Sequence, residues 1–159
     1  MAAAAGLAMI VIQDINRFNR IQQGCVATIG KFDGVHLGHQ LILDQLKQKA
    51  EQLNLPALVI LIEPHPEEYF ASSDANCPAR LTILDEKLEL LESFGFDYVY
   101  QLKFDAALSQ LSAESYIMDI LVEGLGLAAL VIGNDFRFGH KRQGDYALLQ
   151  TKGAGNGFE

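Results

Sequence analysis

Cys25-Val26-Ala27-Thr28-Ile29-Gly30-Lys31-Phe32-Asp33-Gly34-Val35-His36-Leu37-Gly38-His39 runs from an unbroken apolar segment, through a glycine-punctuated loop, into a helical pattern. A strand buried on both faces shows a continuous apolar run rather than alternation, so residues 25–29 read as such a strand, ended by Gly30. From residue 38 to 53 the apolar positions Leu41, Ile42, Leu46, Ala50 and Leu53 recur at helical spacing and are expected on one inward face. A strand, a loop and a helix in that order make the first half of a βαβ unit.

The rest of the chain repeats the alternation. Residues 57–62 form a second apolar run, stopped by Pro64 and Pro66, and residues 67–80 are polar and irregular. Thr82-Ile83-Leu84-Asp85 resembles a capping box with Asp in place of Glu, opening a helix that carries Leu84, Leu88, Leu91 and Phe94 and stops at Gly95. A third strand is expected at 98–102. Ser112 then caps a helix with Tyr116, Ile117, Ile120 and Leu121 inward. A fourth strand is expected at 129–132, a loop at 133–144, a short helix at 145–152 and a turn-rich tail at 153–157. Strands alternating with helices predict an α/β fold around a parallel sheet. Ligands of such sheets gather at the carboxyl ends of the strands. That rule selects three loops: 30–39, 63–66 and 133–144.

Bulk properties bound the function. The chain has 159 residues, half of them hydrophobic and a fifth charged, which suits one globular domain. A net charge of −8 argues against broad binding to nucleic acid, which needs a basic face, but not against a nucleotide held by a helix N-terminus and a cation. Cys25 and Cys77 have neither metal-ligand spacing nor disulfide-scaffold density, so free thiols are expected, with Cys25 in the core. The apolar N-terminal run 1–12 is too short to span a bilayer and lacks a basic n-region; Met9 is an alternative start, with residues 2–8 as a tail. These features predict a cytoplasmic protein with no membrane partner.

The first loop carries the most chemistry. Gly30 and Gly34 permit turns and a close ligand approach. Gly38 stands between His36 and His39 where a helix begins, and the N–H groups and positive dipole end there favour a phosphate. Phosphoryl and nucleotidyl transfers need positioned donors more than a protein nucleophile, and two imidazoles beside a helix N-terminus meet that need. The same pair is compatible with a zinc site, for which His65 is the candidate third ligand, or with a structural role. The segment is not a Walker A loop, since no Gly-Lys-Ser/Thr occurs at the required spacing. Asp135 is a hard oxygen donor suited to Mg²⁺ or to capping its own loop. Phe136 and Phe138 offer either an apolar wall for a planar ring or core packing. The acidic stretch Glu63, Glu67 and Glu68 reads as a solvated edge.

Read as G-x-F-D-G-x-H-x-G-H, residues 30–39 resemble the N-terminal adenylyltransferase module of bacterial bifunctional riboflavin kinase/FAD synthetases, within the wider HxGH nucleotidyltransferase superfamily. Glu63-Pro64-His65-Pro66 is similar to that family's E/D-P-H-P segment. Residues 133–144 resemble its G-x-D-F-x-F-G-x-x-x-x-G loop. The likeness runs from about Ile10 to Glu159. It implies a Rossmann-like parallel sheet with helices on both faces, and transfer of AMP from ATP to FMN, giving FAD and pyrophosphate, with Mg²⁺ as charge partner. His36 and His39 would be catalytic. Gly30, Phe32, Asp33, Gly34 and Gly38 would shape the ATP site. His65, Pro66, Asp135, Phe136 and Phe138 would lie near the flavin, with Asp135 also the candidate Mg²⁺ ligand.

Two family features have no match here: the superfamily's Ser-Ser/Thr-x-x-Arg segment, absent from 143–159, and the riboflavin kinase domain. The expectation is one adenylyltransferase domain over 1–159, truncated at its C-terminus. Alternatives are another HxGH transferase with a different phosphorylated acceptor, or a non-catalytic nucleotide-binding module. Under the transferase reading, His36→Ala leaves the fold intact and lowers turnover by orders of magnitude, since a donor aimed at developing charge carries about 3–4 kcal/mol of barrier. Unchanged turnover with an unchanged circular dichroism spectrum removes the role.

Overall fold

The apolar runs pair edge to edge as one all-parallel sheet in the order β1-β4-β3-β2-β5. The computed structural model describes residues 9–14, 24–32, 37–70, 84–133 and 135–159. The strands are β1 (Ile10–Ile12), β2 (Cys25–Gly30), β3 (Ala57–Glu63), β4 (Tyr98–Lys103) and β5 (Leu127–Leu130). The helices are α1 (Leu37–Leu53), α2 (Pro66–Phe70), α3 (Leu84–Ser93), α4 (Ala106–Gln110), α5 (Ala113–Ser115) and α6 (Tyr146–Asn156); α5 widens into a π-helix at Tyr116–Gly124.

β2 lies between β3 and β5, pairing Thr28 with Val59 and Ala27 with Leu130. Its alternate side chains enter two cores. Cys25, Ala27 and Ile29 face Tyr116, Ile117, Leu121 and Leu149, from the π-helix and α6. Val26 faces Leu43, Leu46 and Ala50 of α1 and Leu91 of α3. Helices therefore cover both faces of the sheet, as expected. Burial without a charge partner pushes the Cys25 thiol up to about 12, so it behaves as a small apolar residue.

Several boundaries differ from the sequence reading. The buried stripe of α1 is Leu43, Leu46 and Ala50, whereas Leu41 is 60% and Leu53 37% exposed. Both readings have helical spacing, and only the direction of β2 and β3 decides which stripe meets the sheet. β5 begins at Leu127, two residues early, because Leu127 pairs with Cys25 across a register shift. Residues 153–156, read as a turn-rich tail, continue α6: Asp145 caps it by accepting from the Leu148 N–H, and Gly157 ends it at φ +81°. Glycine normally weakens a helix, but a Cβ at Gly153 would lie 2.6 Å from the Phe158 carbonyl oxygen, so the tight return of Phe158 into the core requires it. β1, α2 and α4 were not foreseen. β1 is an edge strand that buries Ile12 and pairs with β4.

Ser112 does cap its helix, accepting from the Ser115 N–H at 3.1 Å, and Tyr116, Ile117 and Leu121 point inward. Among the described residues no helix is long and apolar enough to cross a membrane. Leu46→Ala should cost about 2–5 kcal/mol by urea denaturation, because it empties a fully buried site, whereas Leu41→Ala should stay within about 0.5 kcal/mol. Equal costs would show that the stripe facing the sheet has been misassigned.

Candidate active site

The carboxyl ends of β2, β3, β4 and β5 share one end of the sheet. The connection leaving β2 crosses the face covered by α1, and the one leaving β5 reaches α6 on the other face. A crevice between adjacent strands whose connections part in this way is where α/β sheets bind ligands.

At the end of β2, Phe32 adopts φ +50° and is 3% exposed. Its ring lies beneath Gly30, where a Cβ would come within 3.1 Å of it, and its centroid is 5.1 Å from that of His39 at a tilt of 57°. Phe32 thus supports the loop from below and braces His39, which is half-buried in the first turn of α1. Gly38 beside it is exposed, and that turn holds no acidic residue to occupy the positive end of the helix. Asp33, Gly34 and His36 lie outside the described residues.

At the end of β3 the chain turns through a cis Glu63–Pro64 bond into α2. Pro66 takes the first helical position, where its missing N–H costs nothing. The His65 carbonyl accepts from the Glu68 and Tyr69 N–H groups, and Glu68 reaches back to accept the His65 N–H at 2.9 Å. This is the reciprocal half of a capping box.

The His65 side chain is buried, and its Nε2 lies 2.8 Å from the Nζ of Lys87, a fully buried residue of α3. Lys87 also donates to Glu63 at 3.0 Å. Glu63 and Glu68 are therefore not a solvated edge: they belong to a half-closed cluster with His65 and Lys87, and of the three acidic residues Glu67 is the exposed one. A carboxylate at the end of a buried strand must find a cation, and Lys87 supplies it. Glu63, His65 and Glu68 bring donor atoms within 4.8 Å of one another, as a metal site would, and the Lys87 ammonium already occupies two of these donors, Glu63 and the His65 Nε2. His65 directs its Nε2 at Lys87 and its Nδ1 toward Glu68, and His36 of the zinc reading lies outside the described residues.

Lys31 donates to Glu67 at 2.6 Å and so ties the β2 loop to α2. Partial burial pushes the Glu67 carboxyl up, but the Lys31 hydrogen bond, the backbone N–H and the charge of Lys31 outweigh it and hold the group below the usual carboxylate range. Beyond His65, the rings of Tyr69, Phe70 and Phe104 meet edge to face with centroids 5.1–5.7 Å apart, and Phe70 is 66% exposed.

The loop after β5 completes the site. Asp135 is exposed, and its Oδ1 lies 3.0 Å from where a Cβ on Gly133 would stand. That same Cβ position is 3.9 Å from Ile42 of α1, which sets the Asp135 loop beside the helix bearing His39. Phe138 is buried, clasped by two backbone hydrogen bonds with Gly144 and packed against Tyr116. Phe136 stacks on it from outside, at 5.7 Å and 15°. Of the two phenylalanines, Phe138 fills the core and Phe136 forms the outer surface. Arg137 pairs with Asp145 at 3.6 Å.

The described parts of the three loops chosen from sequence thus lie at one end of the sheet. Lys87 and the Tyr69–Phe70–Phe104 cluster escaped that reading. Lys87 carried a signal: it falls three residues after Leu84 and four before Leu91, inside an apolar stripe where a charge needs a buried partner. The aromatic cluster had none, since Phe104 joins it only through the sheet.

The profile described as FAD synthetase matches residues 18–159. The chain belongs to the FAD synthetase family. It is 47% identical over 150 residues to a protein of Haemophilus influenzae named bifunctional riboflavin kinase/FMN adenylyltransferase, covering 94% of this chain and 48% of the relative. A protein of the same name from Escherichia coli strain K12 is 46% identical over 152 residues, covering 95% of this chain and 48% of the relative. One from Pseudomonas fluorescens is 42% identical, covering 94% and 47%. The chain spans about half the length of these curated relatives. A solved structure described as a macrolide-efflux protein from Streptococcus pneumoniae shares the fold, with a TM-score of 0.76 and 21% identity over 90% of this chain and 46% of that one.

Because the folded pKa of Glu67 is lowered, its stabilising contribution is present above the unfolded value and lost as the pH falls through the folded one. A Lys31→Met/Glu67→Gln double-mutant cycle should read a coupling below about 1 kcal/mol at neutral pH, vanishing in acid. A coupling that grows in acid would show that the pair is not ionic.

Proposed function

We propose that this member of the FAD synthetase family transfers AMP from ATP to FMN, giving FAD and pyrophosphate. The observation that carries the reading is the convergence, at one end of the sheet, of an acid-free helix N-terminus, an exposed carboxylate and exposed aromatic rings. A triphosphate, a cation and a planar heterocycle each require one of these.

In this reading the triphosphate lies over the first turn of α1. Gly30 and Gly38 let it approach the backbone, and Phe32 holds the His39 ring toward it from beneath. A phosphate oxygen of FMN attacks the α-phosphorus of ATP, the bond from that phosphorus to the bridging oxygen breaks, and pyrophosphate departs. Negative charge grows on the leaving oxygens, where His39, the helix N-terminus and, by resemblance, His36 stabilise it. Asp33 and Gly34 belong to the same loop by resemblance.

Asp135 fits a Mg²⁺ ion, which takes one or two carboxylates and completes its shell with water and substrate phosphates. Bound there, the ion would supply charge neutralisation along the phosphates. The Glu63–His65–Glu68 group does not fit Mg²⁺, because it includes a nitrogen donor, and Lys87 already holds that donor and the Glu63 carboxylate. Phe136 and the Tyr69–Phe70–Phe104 rings offer apolar faces to the isoalloxazine, while His65 and Pro66 set the direction of α2 between them. We assign the riboflavin kinase in the relatives' names to the part of those proteins that this chain does not span. The chain itself then serves as one adenylyltransferase domain, acting on small soluble metabolites in the cytoplasm rather than on nucleic acid or membrane.

Incubated with ATP, Mg²⁺ and FMN, the protein should form FAD and pyrophosphate in equal amounts, and nicotinamide mononucleotide or phosphopantetheine in place of FMN should give none. Pyrophosphate formed with either of those acceptors but not with FMN would reassign the acceptor. Tight ATP binding without pyrophosphate from any acceptor would leave a non-catalytic module.

A further inference from the structure

We propose that Lys87 is a positioning residue whose ammonium fixes His65 as the neutral Nδ1–H tautomer and thereby sets the aromatic face on which the acceptor ring rests. The kinetic part of this inference rests on the adenylyl-transfer reading; the tautomer does not.

The argument starts from donor and acceptor capacity. An ammonium has three donors and no acceptor, so an imidazole nitrogen 2.8 Å from Lys87 Nζ must offer a lone pair. That nitrogen is Nε2, and the ring proton is therefore on Nδ1. Nδ1 lies 3.7 Å from Glu68 Oε1, the carboxylate oxygen that also accepts the His65 backbone N–H, so the proton faces a negative group. The second contact of Lys87, to Glu63 at 3.0 Å, anchors the ammonium at the end of β3. Ring and ammonium are thus gripped from β3, α2 and α3 together.

The consequence runs through α2. His65 is the residue whose carbonyl begins this short helix, and Tyr69 and Phe70 follow within its single turn. A helix of five residues cannot hold its own direction, and its start is pinned to α3 by the Lys87 contact. Among the described residues the polar partners of Lys87 are Glu63 and His65, on the β3–α2 side of the site. Loss of the lysine should therefore weaken acceptor binding and spare ATP binding, a split that general destabilisation does not produce.

The test reads both levels in the full-length protein. A long-range proton–nitrogen correlation spectrum of protein labelled with nitrogen-15 histidine, with His65 assigned from His65→Gln, should show the neutral Nδ1–H pattern in the wild type. In Lys87→Met that pattern should give way to the Nε2–H form or a mixture. The KM for FMN should rise about tenfold or more, as expected for loss of a hydrogen bond to a charged group, with the KM for ATP unchanged. An Nε2–H tautomer in the wild type overturns the assignment, and this measurement stands even where Lys87→Met does not fold. An unchanged KM for FMN in a folded Lys87→Met protein overturns the positioning role. Absence of FAD formation by the wild type would instead sink the adenylyl-transfer reading, and the wild-type spectrum would still decide the tautomer.

Discussion

Cys25, Val26 and Ala27 lose all exposure to solvent because β2 is hydrogen-bonded on both edges and packed on both faces. A strand enclosed in this way can meet other chain segments and ligands only where it ends. Its neighbours run parallel to it, so their carboxyl ends lie at the same end of the sheet. Residues far apart in sequence are thereby delivered to one place: His39 on the helix after β2, His65 after β3, Phe104 after β4 and Asp135 after β5. No side chain in these loops had to find its partners independently, because the direction of the sheet did it for them.

The same enclosure accounts for the polar cluster beneath the site. Glu63 sits at the last residue of β3, still shielded by its neighbours. A carboxylate there is stable only with a cation close by, and in a chain of net charge −8 an internal lysine is a more dependable source than the solvent. Lys31 and Glu67 form the exposed counterpart, whose pairing is weakened by solvent. A buried pair sets geometry, whereas an exposed pair biases the approach of two loops, and the site uses both kinds.

Much of this was legible in the residues alone. Apolar runs long enough to be strands and too short to be helices located β2, β3 and β4, and the parallel-sheet rule then named three loops that leave the same end of the sheet. Misreadings arose where two periodic solutions were equally good. On α1, the stripes through Leu41 and Leu43 both have helical spacing, and choosing between them needs the position of the sheet. The glycines of 153–157 carry a turn signal that is correct for a solvated chain, and only the return of Phe158 against Gly153 overrides it. The solvated-edge reading of Glu63 and Glu68 failed because sequence records charge but not enclosure. Lys87 in the stripe of α3 was the available clue that an acid lay buried opposite.

An acidic protein that binds a polyanion, as the proposed adenylyl transfer requires, needs a local source of positive potential. One such source here is the start of α1, whose first turn holds no acidic residue, beside the His39 ring braced by Phe32. Such an arrangement favours a phosphate that reaches the crevice and offers little to one elsewhere on the surface, which a basic patch would attract indiscriminately. In the proposed reaction, selectivity for the acceptor falls to the rings of α2 and the β5 loop, where shape rather than charge discriminates. The rings of α2 stand on a helix of only five residues, whose start at His65 is fixed by a capping glutamate and a buried lysine.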